Sequence, residues 1–380
     1  MKKSIAILAL ALACSPAAFA GEADSEEAPA EEIGKAGAPI RNLYDTFLVH
    51  SGENKVVSLD QAAADLATYD VVFYGEAHAH AGNHLAQMRM FQALYDRNPV
   101  ITLSLEHFER DVQPVVDQYL AGEIGEKVLE KDGRGWPNYK SSYRPLVEFA
   151  KQHGLPVIAS EAPKSAVICV GRKGPEIIDE IPQPDRGWLA AEIHVEEGPY
   201  MDKYKEFIAK SSTHGGGSKK AGKGEGEEEA AEMDPKMAEI MEKMTMKSFT
   251  AQVVRDDTMA ESIALHLKDN PGRKVMHMNG NFHSASHLGT PERLKMRMPE
   301  LKIAVINPVE VQDTAAPGWT AEDAETGEYL LLLQAVPEAF VNEDREMEFQ
   351  MEIMKKRGEN VCPYGEEPAE KMDTMNTEDE

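Results

Sequence analysis

The hydrophobic positions of this chain form short continuous runs that alternate with segments of helical periodicity. Six apolar runs predict strands: YDVVFYG, VITLSLEHF, LPVIAS, KVMHMNG, KIAVINPV and EYLLLLQAV. Between the first two, NHLAQMRMFQALYDR has helical spacing, and SYRPLVEFAKQHG has the same spacing before the third. Strands that are apolar throughout and alternate with helices predict an α/β fold, with a mainly parallel sheet and helices on both faces.

The N-terminal stretch MKKSIAILALALACSPAAFA predicts a signal peptide over residues 1–20. Two lysines precede an apolar run too short to span a bilayer, and AFA is typical of a cleavage site before Gly21. The expected location is therefore the periplasm. A second interpretation stays open, because ALAC is an imperfect lipobox. Lipidation of Cys14 would make the protein an outer-membrane lipoprotein with a membrane tether.

Composition divides the rest of the chain into four parts. Residues 21–40 predict an acidic, disordered linker, and residues 41–336 the α/β domain. The Gly-rich, charged segment at about 211–232 predicts a flexible insertion, and residues 337–380 an acidic tail that contains methionine. After the insertion, Met233, Met237, Met241 and Met244 share one helical stripe, for which a core-facing position is favoured over an adaptable ligand surface.

Charge and cysteine content narrow the function further. A net charge of -26, with no basic cluster, argues against a nucleic-acid partner. If Cys14 is removed or lipidated, only Cys169 and Cys362 remain, and an oxidising compartment would allow them to pair. The sequence leaves open that pairing and the formation of a homodimer.

Histidines concentrate where three predicted strands end. Glu76 and His78 lie in a Gly-x-x-His motif after the first strand, and His283 lies in a second copy after KVMHMN. Glu106 ends the strand between them. Since parallel strands end at one edge of a sheet, we expect His78 and His283 to share a cleft with Glu76 and Glu106.

The other histidines near these motifs have competing interpretations. His84 has helical spacing with the apolar positions that follow it, so a structural role is as well supported as a ligand role. His107 alternates with Glu106 along the strand and is expected to be structural. A metal site at this edge would use the imidazoles of His78, His80, His84, His283 and His287 as ligands.

Several common chemistries are excluded by missing motifs. The chain has no His-Glu-x-x-His, no Gly-x-Ser-x-Gly and no Cys-x-x-Cys-His, which removes the commonest zinc protease, serine hydrolase and covalent haem sites. Imidazole and carboxylate remain, as metal ligands or as general acid and base. An imidazole, or a tyrosine such as Tyr74 or Tyr143, could also ligate haem iron.

Five stretches carry a resemblance to a known family: VVFYGEAHAHAGNH, LSLEHFERDVQPVVDQYL, GWPNYKSSYRPLVEFAKQHGLPVIASEAPK, AQVVRDDTMAESI and MNGNFHSASHLGTPERL. In this order they resemble the ChaN-type haem-binding uptake proteins, within the wider group of Tiki-type proteins and erythromycin esterases. The resemblance implies an α/β fold, an exported or lipid-anchored protein, and haem as ligand in iron uptake. It places the site at Glu76, His78, Glu106 and His283. Tyr74, near the end of the same strand as Glu76, is a further cofactor-binding candidate.

The chain departs from the family pattern at two points. Ala79 and His80 replace the usual Asp and Asn, and Glu161 stands where Asn is common. The extra imidazole and carboxylate favour a divalent transition metal over haem. The preferred hypothesis is nevertheless an exported haem-binding protein that handles iron. The alternative is a metal-dependent hydrolase in which Glu76 or Glu106 activates water. A third is an interaction protein without catalysis.

Overall fold

A computed structural model describes residues 31–214, 235–359 and 361–364. The predicted signal peptide with Cys14, residues 215–232 of the predicted insertion, Met233 and the last part of the acidic tail lie outside the described residues. No helix within the described ranges is long and apolar enough to cross a membrane.

The elements follow one another along the chain in this order. The strands are Glu32–Lys35 (β1), Thr46–His50 (β2), Lys55–Val57 (β3), Val71–Glu76 (β4), Ile101–Glu109 (β5), Val157–Glu161 (β6), Lys274–Gly280 (β7), Ile303–Val311 (β8), Gly318–Thr320 (β9) and Tyr329–Gln334 (β10). The α-helices are Leu59–Leu66 (α1), Ala81–Arg97 (α2), Gln113–Leu120 (α3), Glu126–Asp132 (α4), Tyr139–Ser142 (α5), Arg144–Gln152 (α6), Lys164–Lys173 (α7), Ile177–Glu180 (α8), Pro199–His214 (α9), Pro235–Asp269 (α10), Thr290–Arg297 (α11), Ala321–Ala324 (α12) and Glu343–Glu359 (α13). Short 3-10 turns lie at Arg110–Val112, Asp185–Trp188, Asn281–His283 and Ala285–His287.

The main sheet has the strand order β3-β2-β10-β8-β4-β7-β5-β6. The six strands from β10 to β6 run parallel, β2 pairs antiparallel with β10, and β3 pairs antiparallel with β2. These six parallel strands are the six predicted from the apolar runs, so the predicted α/β fold is confirmed. A separate antiparallel pair joins β1 to β9.

Helices cover both faces of this sheet, which is why its strands are apolar throughout. Val72, Tyr74 and Met276 pack with α1, α2 and α6 on one face. Val71 and Phe73 pack with α10 and α11 on the other. Adjacent residues of β4 thus contact different helical layers, as the alternation of a strand requires. Polar residues, including Glu76, Glu106 and Glu161, lie buried near the carboxyl ends of the parallel strands.

Two sequence predictions are corrected here. The disordered linker predicted for residues 21–40 is wrong at its end, because Glu32–Lys35 pairs with β9 through backbone hydrogen bonds that an acidic composition does not prevent. The core-facing position predicted for the methionine stripe is also wrong. Met237, Met241 and Met244 are 52, 51 and 65% exposed, since the start of α10 extends beyond the sheet that its later turns cover. Helix α13, Glu343–Glu359, lies within the acidic tail predicted for residues 337–380.

A disulfide joins Cys169 of α7 to Cys362, 193 residues further along the chain. Both residues belong to an apolar cluster that includes Val170, Ile177 and Tyr364. The Lys173 ammonium donates to the Tyr364 carbonyl at 2.7 Å. The pairing that the sequence left open is therefore present, and it attaches the segment after α13 to the domain.

We expect the double substitution Cys169→Ser, Cys362→Ser to lower the free energy of unfolding by about 2–5 kcal/mol, because the crosslink restricts a long loop in the unfolded chain. Urea unfolding followed by circular dichroism measures the change. Reductant should reproduce the loss in the wild type and have no effect on the double variant. Equal stability of oxidised wild type and double variant would contradict a stabilising role for the disulfide.

Candidate functional site

A cleft of about 650 Å³ lies at the carboxyl ends of the parallel strands. Its lining includes His78 and His283, which follow β4 and β7, and Glu106, which lies within β5 directly after the last residue that pairs with β7. Glu76 lies directly beside it, bonded to His78. The structure thus brings together the two Gly-x-x-His motifs and both strand-end glutamates, as strands ending at a common edge allow.

The first motif presents one nitrogen of His78 to the cleft. Its Nδ1 donates to Glu76 Oε1 at 2.8 Å, and Glu76 is fixed in turn by the Tyr143 hydroxyl at 2.6 Å. The His78 side chain is 57% exposed, whereas Glu76 is buried. The hydrogen bond to Glu76 raises the pKa of His78. His78 Nε2 has no hydrogen bond to any described residue, so it is available to a ligand.

Gly280 of the second motif leaves room for the His78 ring in its observed position. A Cβ at residue 280 would lie 2.7 Å from His78 Nε2, closer than side-chain atoms approach. Its backbone N–H donates to Glu106 Oε2 at 2.6 Å. The absence of a side chain at residue 280 therefore lets β7 approach both His78 and Glu106.

Arg255 of α10 joins two buried carboxylates at the ends of neighbouring strands. Its guanidinium donates to Glu106 Oε1 at 2.7 Å and to Glu161 Oε2 at 2.5 Å. Burial raises the pKa of both carboxyl groups, but the charges of His283 and Arg255 lower the pKa of Glu106 below its usual value. The pKa of Glu161 stays raised, because Arg255 offsets only part of the burial and Glu106 repels a second charge.

His283 lies between carboxylates from two elements. Its Nδ1 donates to Asp256 Oδ1 at 2.8 Å, and its Nε2 is 3.5 Å from Glu106 Oε1. Asp256 also accepts from the Tyr200 hydroxyl at 2.5 Å and from Thr290 Oγ1 at 2.7 Å. Burial alone would lower the pKa of His283, but the charges of Glu106 and Asp256 raise it. The imidazolium form is therefore stabilised inside the protein.

Aromatic side chains form the walls of the cleft. Trp136 lies edge-on to His78, with ring centroids 5.7 Å apart, and Phe282 packs against Phe207 at 5.0 Å. Lys203 donates to the carbonyls of Phe282 at 2.9 Å and Ala285 at 2.8 Å, which holds the loop after β7. Burial lowers the pKa of Lys203 to about 8. The cleft thus combines apolar walls with a charged floor.

Two predicted histidines lie behind the cleft and do not line it. His84 is buried on α2, where its Nδ1 lies 2.9 Å from Gln87 Oε1 and 3.8 Å from Glu76 Oε2. Burial lowers its pKa. His107 Nε2 accepts a hydrogen bond from the backbone N–H of Trp136 at 2.9 Å. Burial lowers the pKa of His107 to about 3. Both rings support the Glu76 and Trp136 side of the cleft.

Three other candidates have positions elsewhere in the fold. His80 caps α2 by accepting from the Asn83 N–H, and its Nε2 bonds to the Gln334 carbonyl at 2.8 Å. His287 pairs with Glu328 at 3.1 Å. Tyr74 is fully buried two residues before the end of β4 and lines a different cavity. These residues therefore do not join a ligand set in the cleft.

The five-histidine metal set expected from the sequence is not assembled, because His80, His84 and His287 each bond to partners outside the cleft. Among residues 31–214, 235–359 and 361–364, no three His, Cys, Asp or Glu side chains are grouped so that they could hold a metal ion. The donors that remain in the cleft suit a ligand that needs one imidazole.

Sequence reasoning did not assign roles to Gln252, Arg255, Asp256 and Trp136, all of which contact the site. Three of them lie in AQVVRDDTMAESI, a stretch that resembles the family, and the fourth lies in GWPNY. That resemblance was the available signal. A charged run on a helix is usually a solvated face, so its place in the core was not evident without the fold.

We expect Asp256→Asn to lower the pKa of His283, since the substitution removes one of the two carboxylates that raise this pKa. The raised pKa of His283 stabilises the folded protein at pH values below 6.5, the usual pKa of histidine. This stabilisation is lost as the pH rises through the pKa of His283 in the folded state. The stability difference between wild type and variant should therefore shrink as pH rises. Imidazole ¹⁵N NMR and urea unfolding across pH measure both effects.

Asp257→Asn is the matched control, because the neighbouring carboxylate pairs with His194 and Arg297 and not with His283. It should leave the pKa of His283 unchanged. An unchanged His283 titration in Asp256→Asn would contradict the assigned hydrogen bond.

Comparisons with known proteins agree with this architecture. The sequence model of a family described as haem-binding uptake, Tiki superfamily, ChaN matches residues 62–294. A structure of ChaN of Campylobacter jejuni, which shows cofacial heme binding, is similar with a TM-score of 0.53 and 16% identity, covering 78% of this chain and 100% of that one. An erythromycin esterase mutant in its open conformation aligns with a TM-score of 0.41 and 12% identity, covering 74% and 95%.

No curated protein matches this chain. The likeness to the Campylobacter protein, at 16% identity, shows the fold alone. The family match extends over most of the α/β domain and includes Glu76, His78, Glu106 and His283. The chain therefore belongs to the ChaN family of haem-binding uptake proteins in the Tiki superfamily.

Proposed function

We propose that this protein binds haem in the cleft through the imidazole of His78. The observation that carries the proposal is the state of this ring. Its Nδ1 is held by the buried Glu76, and its Nε2 is exposed in the cleft beside Gly280. Histidines that ligate metals commonly donate their other N–H to a carboxylate, which fixes the tautomer and increases ligand basicity.

The remaining cleft residues fit such a ligand. Histidine is a common axial ligand of haem iron, and one imidazole is sufficient for non-covalent binding. Trp136 and Phe282 offer apolar surface for a flat macrocycle, and the volume of about 650 Å³ falls in the usual range of small-molecule sites. Bound haem would supply an iron centre. The protein would supply the axial imidazole, its orientation and shelter from water.

The comparisons support haem as the ligand, since the family is described by haem-binding uptake and ChaN of Campylobacter jejuni shows cofacial heme binding. We propose a role in haem or iron uptake, which the family description supports, and a location outside the cytoplasm, which the predicted signal peptide supports. A free N-terminus at Gly21 would support a periplasmic protein, and a diacylated Cys14 an anchored one; mass spectrometry of the mature chain distinguishes them.

We expect the mature protein to shift the Soret band of added haem, and His78→Ala to remove that shift or weaken binding by at least about tenfold, because the axial bond is lost. Glu76→Gln should retain binding but alter the spectrum, since it weakens the acceptor for Nδ1. Absorbance titration measures both.

His153→Ala is the control. This exposed imidazole lies at the end of α6, and its only hydrogen bond among the described residues is to the Phe149 carbonyl. It should bind haem as the wild type does. A wild-type spectrum equal to that of free haem at every ratio would overturn the proposal. So would full binding by His78→Ala.

One observation favours a second function, hydrolysis by general acid and base. Two carboxylate–imidazole pairs face one cleft, and the pKa of each imidazole is raised. Neutral His78 would take a proton from water while the hydroxide adds to an ester carbonyl. His283, held as imidazolium, would return a proton to the leaving alcohol. A metal-dependent version does not fit, because the described residues lack a three-donor set.

If the cleft hydrolyses esters, His78→Ala and His283→Ala should each lower kcat/KM strongly, and the double variant should lose little more, because acid and base act as one unit. Hydrolysis of ethyl butyrate, whose leaving ethanol needs a proton, measures the effect when it is followed by pH-stat titration and corrected for the wild-type chain inactivated by heat. Activity that survives both substitutions would remove the hydrolase hypothesis and leave haem binding in place.

A further inference from the structure

The two glutamates of the Gly-x-x-His site differ in how their charges are balanced. Glu106 is paired with the guanidinium of Arg255 at 2.7 Å. Glu76 forms no ion pair with a lysine or arginine among the described residues, and its basic partners are the imidazoles of His78, at 2.8 Å, and His84, at 3.8 Å. The carboxylate behind the candidate axial ligand therefore lacks a permanent counter-charge.

We propose that the cleft is selective for haem in the ferric state and that Glu76 is the residue that sets this selectivity. The selectivity rests on the proposed function, in which His78 is the axial ligand. It adds to that function the oxidation state of the iron that the cleft prefers.

The contact between Glu76 and His78 provides the physical reason. A carboxylate that accepts the Nδ1 proton of an axial histidine makes the ring a more basic ligand. Ferric haem carries one more positive charge than ferrous haem, so a more basic ligand stabilises the ferric form more. Hydrogen bonding behind the axial ligand and burial both set the potential of haem iron. Glu76 combines the two, since it is 2% exposed and its Oε1 lies 2.8 Å from His78 Nδ1.

The other groups that contact Glu76 are neutral. The Tyr143 hydroxyl donates to Oε1 at 2.6 Å, and the Gln87 amide donates to Oε2 at 3.4 Å. Burial lowers the pKa of His84, so its ring is uncharged near neutral pH. These groups hold the carboxylate in place without cancelling its charge, and a buried charge is only weakly screened by water.

The charges around His78 favour positive charge on its ring. The hydrogen bond to Glu76 and the charges of Glu76 and Glu106 raise the pKa of His78. Burial and the charge of Arg255 act in the opposite direction but do not cancel this effect. Positive charge on the ring, or on iron bound to it, is therefore stabilised by the surrounding protein.

Absorbance titrations of the full mature chain with ferric haem, and with ferrous haem under anaerobic dithionite, measure the selectivity, and spectroelectrochemistry at one fixed pH gives the midpoint potential. The wild type should bind ferric haem more tightly than ferrous haem. Glu76→Gln should still bind haem, because the amide oxygen can accept from His78 Nδ1, but its preference for ferric haem should fall by at least about tenfold. For a one-electron couple, that change equals a rise of about 59 mV in the midpoint potential.

Tyr143→Phe should shift the potential in the opposite direction. The Tyr143 hydroxyl and His78 Nδ1 donate to the same oxygen of Glu76. Without the hydroxyl, that oxygen becomes a stronger acceptor for His78, so the preference for ferric haem should rise and the midpoint potential should fall. A purely structural role of Glu76 would not give shifts of opposite sign in these two variants.

Glu148→Gln is the matched control, because it removes one negative charge from another tyrosine–glutamate pair, that of Tyr119 and Glu148, outside the cleft. Its midpoint potential should equal that of the wild type. Equal potentials in the wild type and Glu76→Gln, or tighter binding of ferrous than of ferric haem, would overturn the ferric selectivity and leave haem binding in place. The absence of haem binding in both oxidation states would overturn both proposals.

Discussion

The site depends on the ion pairs that Arg255 makes with Glu106 and Glu161. These pairs connect the long helix α10 to the carboxyl ends of β5 and β6. Gln252 and Asp256 lie within one turn of Arg255 on the same helix, so its attachment also sets the position of His283. Removing the guanidinium would leave the buried Glu161 without a counter-charge and Glu106 with only His283 at 3.5 Å. Breaking a buried ion pair in this way typically costs about 3–5 kcal/mol.

The two histidines of the Gly-x-x-His motifs have similar partners but different surroundings. His78 is exposed and held by one carboxylate, so one of its nitrogens stays open to the cleft. His283 is buried between Asp256 and Glu106, and its charged form is favoured by both. One ring is therefore suited to ligate or accept a proton, and the other to carry positive charge beneath the ligand.

The sheet separates two regions with different chemistry. Its carboxyl edge holds a wide cleft with aromatic walls and a charged floor, whereas the cavity beside β2 and α2 is small and mostly apolar. Tyr74 and Glu76 illustrate the difference, because they belong to the same strand two positions apart. The buried glutamate ends the strand and bonds to His78 of the cleft, and the tyrosine lies among core residues.

The sequence alone determined the six parallel strands, α2 and α6, and the carboxylates and imidazoles of the two motifs, because apolar runs and glycine-bounded strand ends are local features of the chain. The family resemblance added the identity of the fold. Only the tertiary structure decided which histidines share the cleft. His80 and His287 lie only two and four residues after His78 and His283, but a helix cap and an ion pair with Glu328 occupy them. The tertiary structure also places Arg255 and Asp256 of α10 at the strand ends, and it leaves the methionine stripe exposed. The physical reason is that packing between segments far apart in sequence depends on how they meet in space. Such packing leaves no local periodic signal in the sequence.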